Sequence, residues 1–128
     1  MSGNTGVHWH AFAWTGHERP PDSERVIPTN PTPPLEVAHW LRKQRKHVAA
    51  TFTDADAAVE WMREELAAWP MADQTLSTVE SKIEFTRECL SRPDADVVFG
   101  FYPAVQRYVS RCLIYCPRPG EKCPDPPA

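Results

Sequence analysis

A chain of 128 residues is the size of one domain, which excludes separate cofactor-binding and substrate-binding halves. Lys and Arg number 14 against 17 Asp and Glu, a net charge of −3, so no global field draws the chain to nucleic acid or anionic lipid and any such contact needs a local patch. Of the 14 prolines, six fall in residues 20–34 and five in 117–127, where neither helix nor central strand can form because proline fixes φ and lacks an amide proton.

Outside those stretches about 95 to 100 residues can pack, enough for one core. A hydrophobic content of 41% with five tryptophans marks a folded chain. No apolar run reaches the length of a membrane span, and no basic segment leads into an apolar one. The expectation is a cytoplasmic protein without membrane contact. The excess of Arg over Lys, 10 to 4, fits a GC-rich bacterial coding sequence.

Val7 to Thr15 reads as a strand, with His8, His10, Phe12 and Trp14 on one face and Val7, Trp9, Ala11 and Ala13 on the other. Bulk on both faces suits an interior strand. Residues 16–34 form a long proline-rich loop, partly polyproline II. Thr32 before Pro33 signals a helix start, with Val37, Ala38 and Leu41 inward, Trp40 beside them, and Arg42, Lys43, Arg45 and Lys46 at its carboxyl end. Val48 to Phe52 is a short strand with Val48, Ala50 and Phe52 on one side. Thr53 or Asp54 caps a helix whose stripe is Ala58, Val59, Met62, Leu66 and Trp69, stopped by Pro70. A second helix begins near Ser77, spaced from Glu80 as a capping box, with Leu76, Val79, Ile83, Thr86 and Leu90 inward, and ends at Arg92 and Pro93. The two helices should lie antiparallel. Val97 to Tyr102 and Arg107 to Cys116 make a hairpin, the second strand turning Tyr108, Ser110, Cys112, Ile114 and Cys116 to one face. A proline-rich tail occupies 117–128. The sum is a single α+β domain over 1–128, a small two-layer fold in which a mainly antiparallel sheet carries helices on one face.

Four groups carry chemistry. His8 and His10 lie on one side of a strand, about 7 Å apart by strand rise, a spacing from which two nitrogens can converge on one metal. Further ligands would come from His17, Cys112, Cys116 or Cys123, and the set His8, His10, Cys116 and Cys123 defines a candidate zinc site. The competing reading makes the histidines buried polar members of an aromatic face. The spacing of Cys116 and Cys123 is a weak match to a compact zinc knuckle, and the readings in order are free thiols, a zinc site with the histidines, and a disulfide turned by Pro119 and Gly120. Cys89 is a small buried hydrophobe on its helix.

Cys112 or Cys116 beside His8 or His10 would supply a thiolate–imidazole pair, yet no nucleophile elbow or phosphate-cradling loop is present, and the expectation leans away from an enzyme. Glu60, Glu64, Glu65, Glu80, Glu84 and Glu88 read as solvated helix faces. Trp40, Arg42, Lys43, Arg45 and Lys46 have the components of a nucleic-acid contact, set against a helix end dressed to suit its dipole.

With His8-Trp9-His10, Phe12-Ala13-Trp14-Thr15-Gly16, Cys116-Pro117 and Cys123-Pro124, the chain resembles a group of small actinobacterial proteins of unknown function, some of them in neighbourhoods of plasmid-like or integrated elements. That resemblance implies an accessory protein and supplies no site residue. The expected function is therefore a small binding protein whose aromatic and histidine surface and proline-rich loop contact a macromolecular partner, with homodimerisation through a sheet edge compatible. The alternatives are a zinc protein using His8 and His10 with the late cysteines, and a nucleic-acid-binding factor using Arg42 to Lys46.

Overall fold

Alternating bulky residues at the start of the chain form strand β1 (His8–Gly16), and the computed structural model, which describes residues 7–70, 79–92, 94–103 and 107–126, sets it inside a four-stranded sheet. β2 (Ala50–Phe52) pairs antiparallel on one side of β1 and β4 (Tyr108–Cys116) on the other, and β3 (Val97–Phe101) pairs antiparallel with β4. The order is β2-β1-β4-β3. The β1–β4 ladder runs from His8 opposite Cys116 to Gly16 opposite Tyr108. This pairing sets residues about a hundred apart in sequence side by side.

Three helices accompany the sheet among the described residues: a single turn α1 (Asp22–Arg25) within the proline-rich loop, α2 (Ala55–Ala67) and α3 (Val79–Leu90). Asp54 caps α2 through its side chain, which accepts the Asp56 amide at 3.3 Å. Helices this short are marginal alone, so packing holds them. Trp9, Ala11, Met62, Leu66, Ile83, Leu90, Val97 and Leu113 form their core with the sheet. Each large side chain fully buried there contributes about 1.5–3 kcal/mol. Ion pairs from Arg63 to Glu80 and from Arg87 to Asp56 run α2 and α3 antiparallel. Buried Arg111 on β4 donates to Glu65 of α2 at 2.8 Å and to the Trp14 carbonyl at 3.0 Å, tying α2 to the sheet. Glu60, Glu64, Glu80, Glu84 and Glu88 are exposed. The expected α+β class, an antiparallel sheet with helices packed on one face, is the one the chain adopts. No described helix is long and apolar enough to cross a membrane.

The other face of the sheet is also covered, by irregular chain. Phe12, Cys112, Ile114 and Cys116 pack there with Trp40 and Leu41, and Val48 and Cys123 close the edges. The Phe12 and Trp40 rings stack with centroids 4.7 Å apart.

Several expectations need correction. The helix expected after Thr32 is absent: two 3₁₀ segments, Val37–Arg42 and Arg45–His47, take its place. Pro33 and Pro34 push the residues before them into extended backbone and withhold two amide donors, and both Glu36 and Lys43 are extended, so only one short tight helix fits between them. Thr32 caps nothing and instead donates to the Glu24 carbonyl at 3.4 Å. The loop over 16–34 is not wholly irregular, because α1 forms within it and Arg25 donates to the carbonyls of Pro33 and Pro34 at 3.0 and 2.9 Å. Val48 does not share a side with Ala50 and Phe52; it packs on the opposite core. α2 ends at Ala67, before Trp69. The capping box at Ser77 and the inward Leu76 lie outside the described residues, as do Pro93 and the Ala104 part of the hairpin turn.

Candidate metal centre

Strand alternation turns the side chains of His8 and His10 away from α2 and α3, and the register sets His8 beside Cys116. The fourth group arrives from the tail. Arg118, Pro119, Gly120 and Glu121 form a turn closed by the Glu121 amide on the Arg118 carbonyl at 3.2 Å, with Gly120 at φ +81°, a conformation that suits glycine after proline. The turn carries Cys123 back over the sheet. Its Sγ lies 3.4 Å from His8 Nε2 and 3.2 Å from His10 Nε2. One ligand atom from each of His8, His10, Cys116 and Cys123 falls within 4.8 Å of all the others. Tetrahedral coordination at bond lengths of about 2.0–2.3 Å needs ligand atoms about 3.3–3.8 Å apart, so a metal would have to draw the group together by an ångström or so. Such a group can hold a metal ion.

The surroundings orient His10 for that role. Thr51 donates its hydroxyl proton to Asp125 Oδ2 at 2.8 Å, because an ionised carboxylate can only accept. The 2.9 Å contact between His10 Nδ1 and Thr51 Oγ1 is therefore a donation from the imidazole, which leaves the Nε2 lone pair aimed at the cluster. Asp125 is held in turn by Arg45 Nε at 2.8 Å. Exchanging Thr51→Val removes the hydroxyl at nearly constant shape and should weaken metal affinity about 10–100-fold, measured by competition with a chelating dye. Unchanged affinity would contradict the role given to Thr51.

Burial, with His8 alongside, lowers the pKa of His10 from its ordinary 6.5 to about 4, against the opposing pull of Asp125. Between those values the unfolded chain binds more protons at His10 than the folded one does. The stability contributed there is complete above pH 6.5 and is lost as pH falls toward 4. Metal retention should fall as pH approaches 4, where the folded chain's ring takes up its proton, since only the neutral ring is a ligand. Denaturant midpoints measured at pH 7 and pH 5 should differ in that direction, and equal midpoints would refute it. Burial, together with Cys123, pushes the Cys116 thiol up to about 12, so without a metal it keeps its proton.

The tail is pinned along its length. Arg118 makes a paired contact with Asp96, at 2.9 and 3.4 Å, and its guanidinium lies 3.9 Å from the Tyr115 ring centroid. Glu121 accepts two hydrogen bonds from Arg42, at 2.9 and 3.0 Å. Arg42 and Arg45 thus meet Glu121 and Asp125 on either side of Cys123.

These contacts account for most of the basic cluster. Trp40 is 2% exposed beneath Phe12, and Lys43, 4% exposed, donates to the Asn30 carbonyl at 2.7 Å, so neither stands at the surface to stack or to reach phosphate. Lys46 is exposed. His8 and His10 are buried and form no contact surface. All four cysteines are thiols, and Cys112 and Cys89 lie in the two cores, outside the metal group. His17 is exposed and also outside it. Sequence reasoning missed Thr51, Asp125 and Glu121. A lone hydroxyl between Ala50 and Phe52, and acids flanking Cys123 at two-residue intervals, were the signals available. Comparison of the chain with protein-family models, curated proteins and solved structures returns no match.

Proposed function

We propose that the protein is a small zinc-binding protein in which His8, His10, Cys116 and Cys123 form a structural site that locks the tail onto the sheet. The carrying observation is the convergence of four ligand atoms from a strand, its neighbour and the tail within 4.8 Å. Two imidazoles and two thiolates are a donor set suited to tetrahedral zinc, and four protein ligands leave no open position of the kind a catalytic zinc keeps. Binding would release the thiol protons, so that the buried Cys116 thiol, costly to ionise alone, becomes charged only against a cation.

A cysteine nucleophile is the weaker reading. It needs an imidazole that takes up the thiol proton, and burial holds His10 down at about 4. A nucleic-acid role also has less support, because Arg42 and Arg45 already pair with Glu121 and Asp125. With the metal serving architecture, activity is left to surface contact with a macromolecular partner. Phe85, Val98 and Tyr102 supply exposed apolar groups on α3, on β3 and just beyond it.

Elemental analysis of protein purified without chelators tests the metal. Near-stoichiometric zinc is expected, with much less in Cys116→Ser and Cys123→Ser. A fully folded protein that holds no zinc and takes up none would overturn the proposal.

A further inference from the structure

The four groups of the metal cluster are not equally sheltered. His8 is 3% exposed, and His10 and Cys116 are 0% exposed, whereas Cys123 is partly exposed and lines a cleft of about 380 Å³. Arg42, Lys43, Arg45 and Lys122 also line that cleft; Arg42 is balanced by Glu121 and Arg45 by Asp125, and the charges of Lys43 and Lys122 leave the setting net positive. A thiolate in an electropositive, accessible setting is the form that oxidants attack, while a sealed thiol is inert. The second sulfur needed to complete such a reaction is already in place, because Cys116 and Cys123 lie within 4.8 Å of each other. Cys112 shares β4 with Cys116 but is sealed in the core, hydrogen-bonded by Ser110 at 3.7 Å. Cys89 lies across the sheet in the helix-side core.

We infer that Cys123 is an oxidation site at which a hydroperoxide enters the metal centre, with Cys116 as the resolving thiol, so that oxidation exchanges the zinc for a Cys116–Cys123 disulfide. This rests on the zinc reading above. The Cys123 thiolate attacks hydrogen peroxide, forming an S–O bond as the O–O bond breaks, and the departing hydroxide takes a proton from solvent to leave as water. The Cys116 thiolate then forms the S–S bond at the Cys123 sulfur and displaces the second hydroxide, which also leaves as water. Two thiolates, one peroxide and two protons become one disulfide and two waters; the sulfurs lose two electrons and the peroxide oxygens gain them. Two histidines are too few ligands to retain the ion. The Pro119–Gly120 turn holds the two cysteines close throughout, so the tail stays closed in either state.

The test treats the zinc-loaded full chain with hydrogen peroxide while a metal-sensitive dye reads free zinc, followed by non-reducing peptide mass mapping. Zinc release is expected together with a Cys116–Cys123 linked peptide, Cys89 and Cys112 remaining reduced, and a phosphine reductant with added zinc should restore the loaded form. In Cys116→Ser the oxidised Cys123 has no partner, and dimedone should label it. Zinc retained through the treatment, a link to Cys89 or Cys112, or no dimedone adduct on Cys123 would overturn this inference while leaving a zinc-loaded chain as support for the metal site. A chain that never takes up zinc overturns both.

Discussion

Removing the metal from the purified protein with a strong chelator should lower its thermal midpoint by about 10–15 °C. A site loaded a thousandfold above its dissociation constant stabilises the fold by about 4 kcal/mol, and for a chain of this size each kilocalorie moves the midpoint by roughly 3–4 °C. The loss should be local first. Without the ion the tail keeps its part-buried Arg118–Asp96 pair at its start, but beyond it only the pairs to the exposed Arg42 and Arg45, of a kind worth about 0–1 kcal/mol each. Limited trypsin digestion should therefore cut after Lys122 faster in the stripped protein than in the loaded one. Identical melting curves and digestion rates would mean that the tail is held by its ion pairs alone.

Phe12→Ala should cost about 3–5 kcal/mol, the range for deleting a fully buried aromatic side chain. Phe12 is 0% exposed and stacks on Trp40, which joins the 3₁₀ segment to the sheet face opposite the helices. The substitution empties the centre of that second core and loosens the platform on which Cys112, Ile114 and Cys116 sit. Guanidinium unfolding of the variant should show an earlier midpoint, with weaker metal retention beside it. A loss below about 1 kcal/mol would show that the irregular layer is only draped over the sheet.

The parts of this molecule legible in its sequence are those governed by local periodicity. The two-residue alternation of β1 and β4, the Asp54 cap and the apolar stripe of α2, and Ile83, Thr86 and Leu90 on α3 all follow from spacing within one element. His8 and His10 could be placed on one face for the same reason. Their meeting with Cys116 could not, since it depends on a register between strands a hundred residues apart, and Cys123 depends further on the turn at Gly120. The 3₁₀ segments differ from the expected helix because Trp40 and Leu41 have helical spacing while extended backbone at Glu36 and Lys43 confines the turn between them. The second core left a sign that went unread. Strands β1 and β4 are bulky on both faces, and a strand apolar on both sides needs cover on both. The 3₁₀ segment with Trp40 and Leu41, and the tail with Cys123, supply that cover. Pro117, Pro119 and Pro124, which first marked a stretch outside the folded elements, instead belong to the segment that carries Cys123 back to His8 and His10.

Zinc K-edge X-ray absorption on the purified protein tests the central claim most directly. Two sulfurs at about 2.3 Å and two imidazole nitrogens at about 2.0 Å are expected around a single ion, and Cys123→Ser should lose one sulfur from that shell. A first shell of oxygen alone, or a sulfur count that Cys123→Ser leaves unchanged, would contradict it.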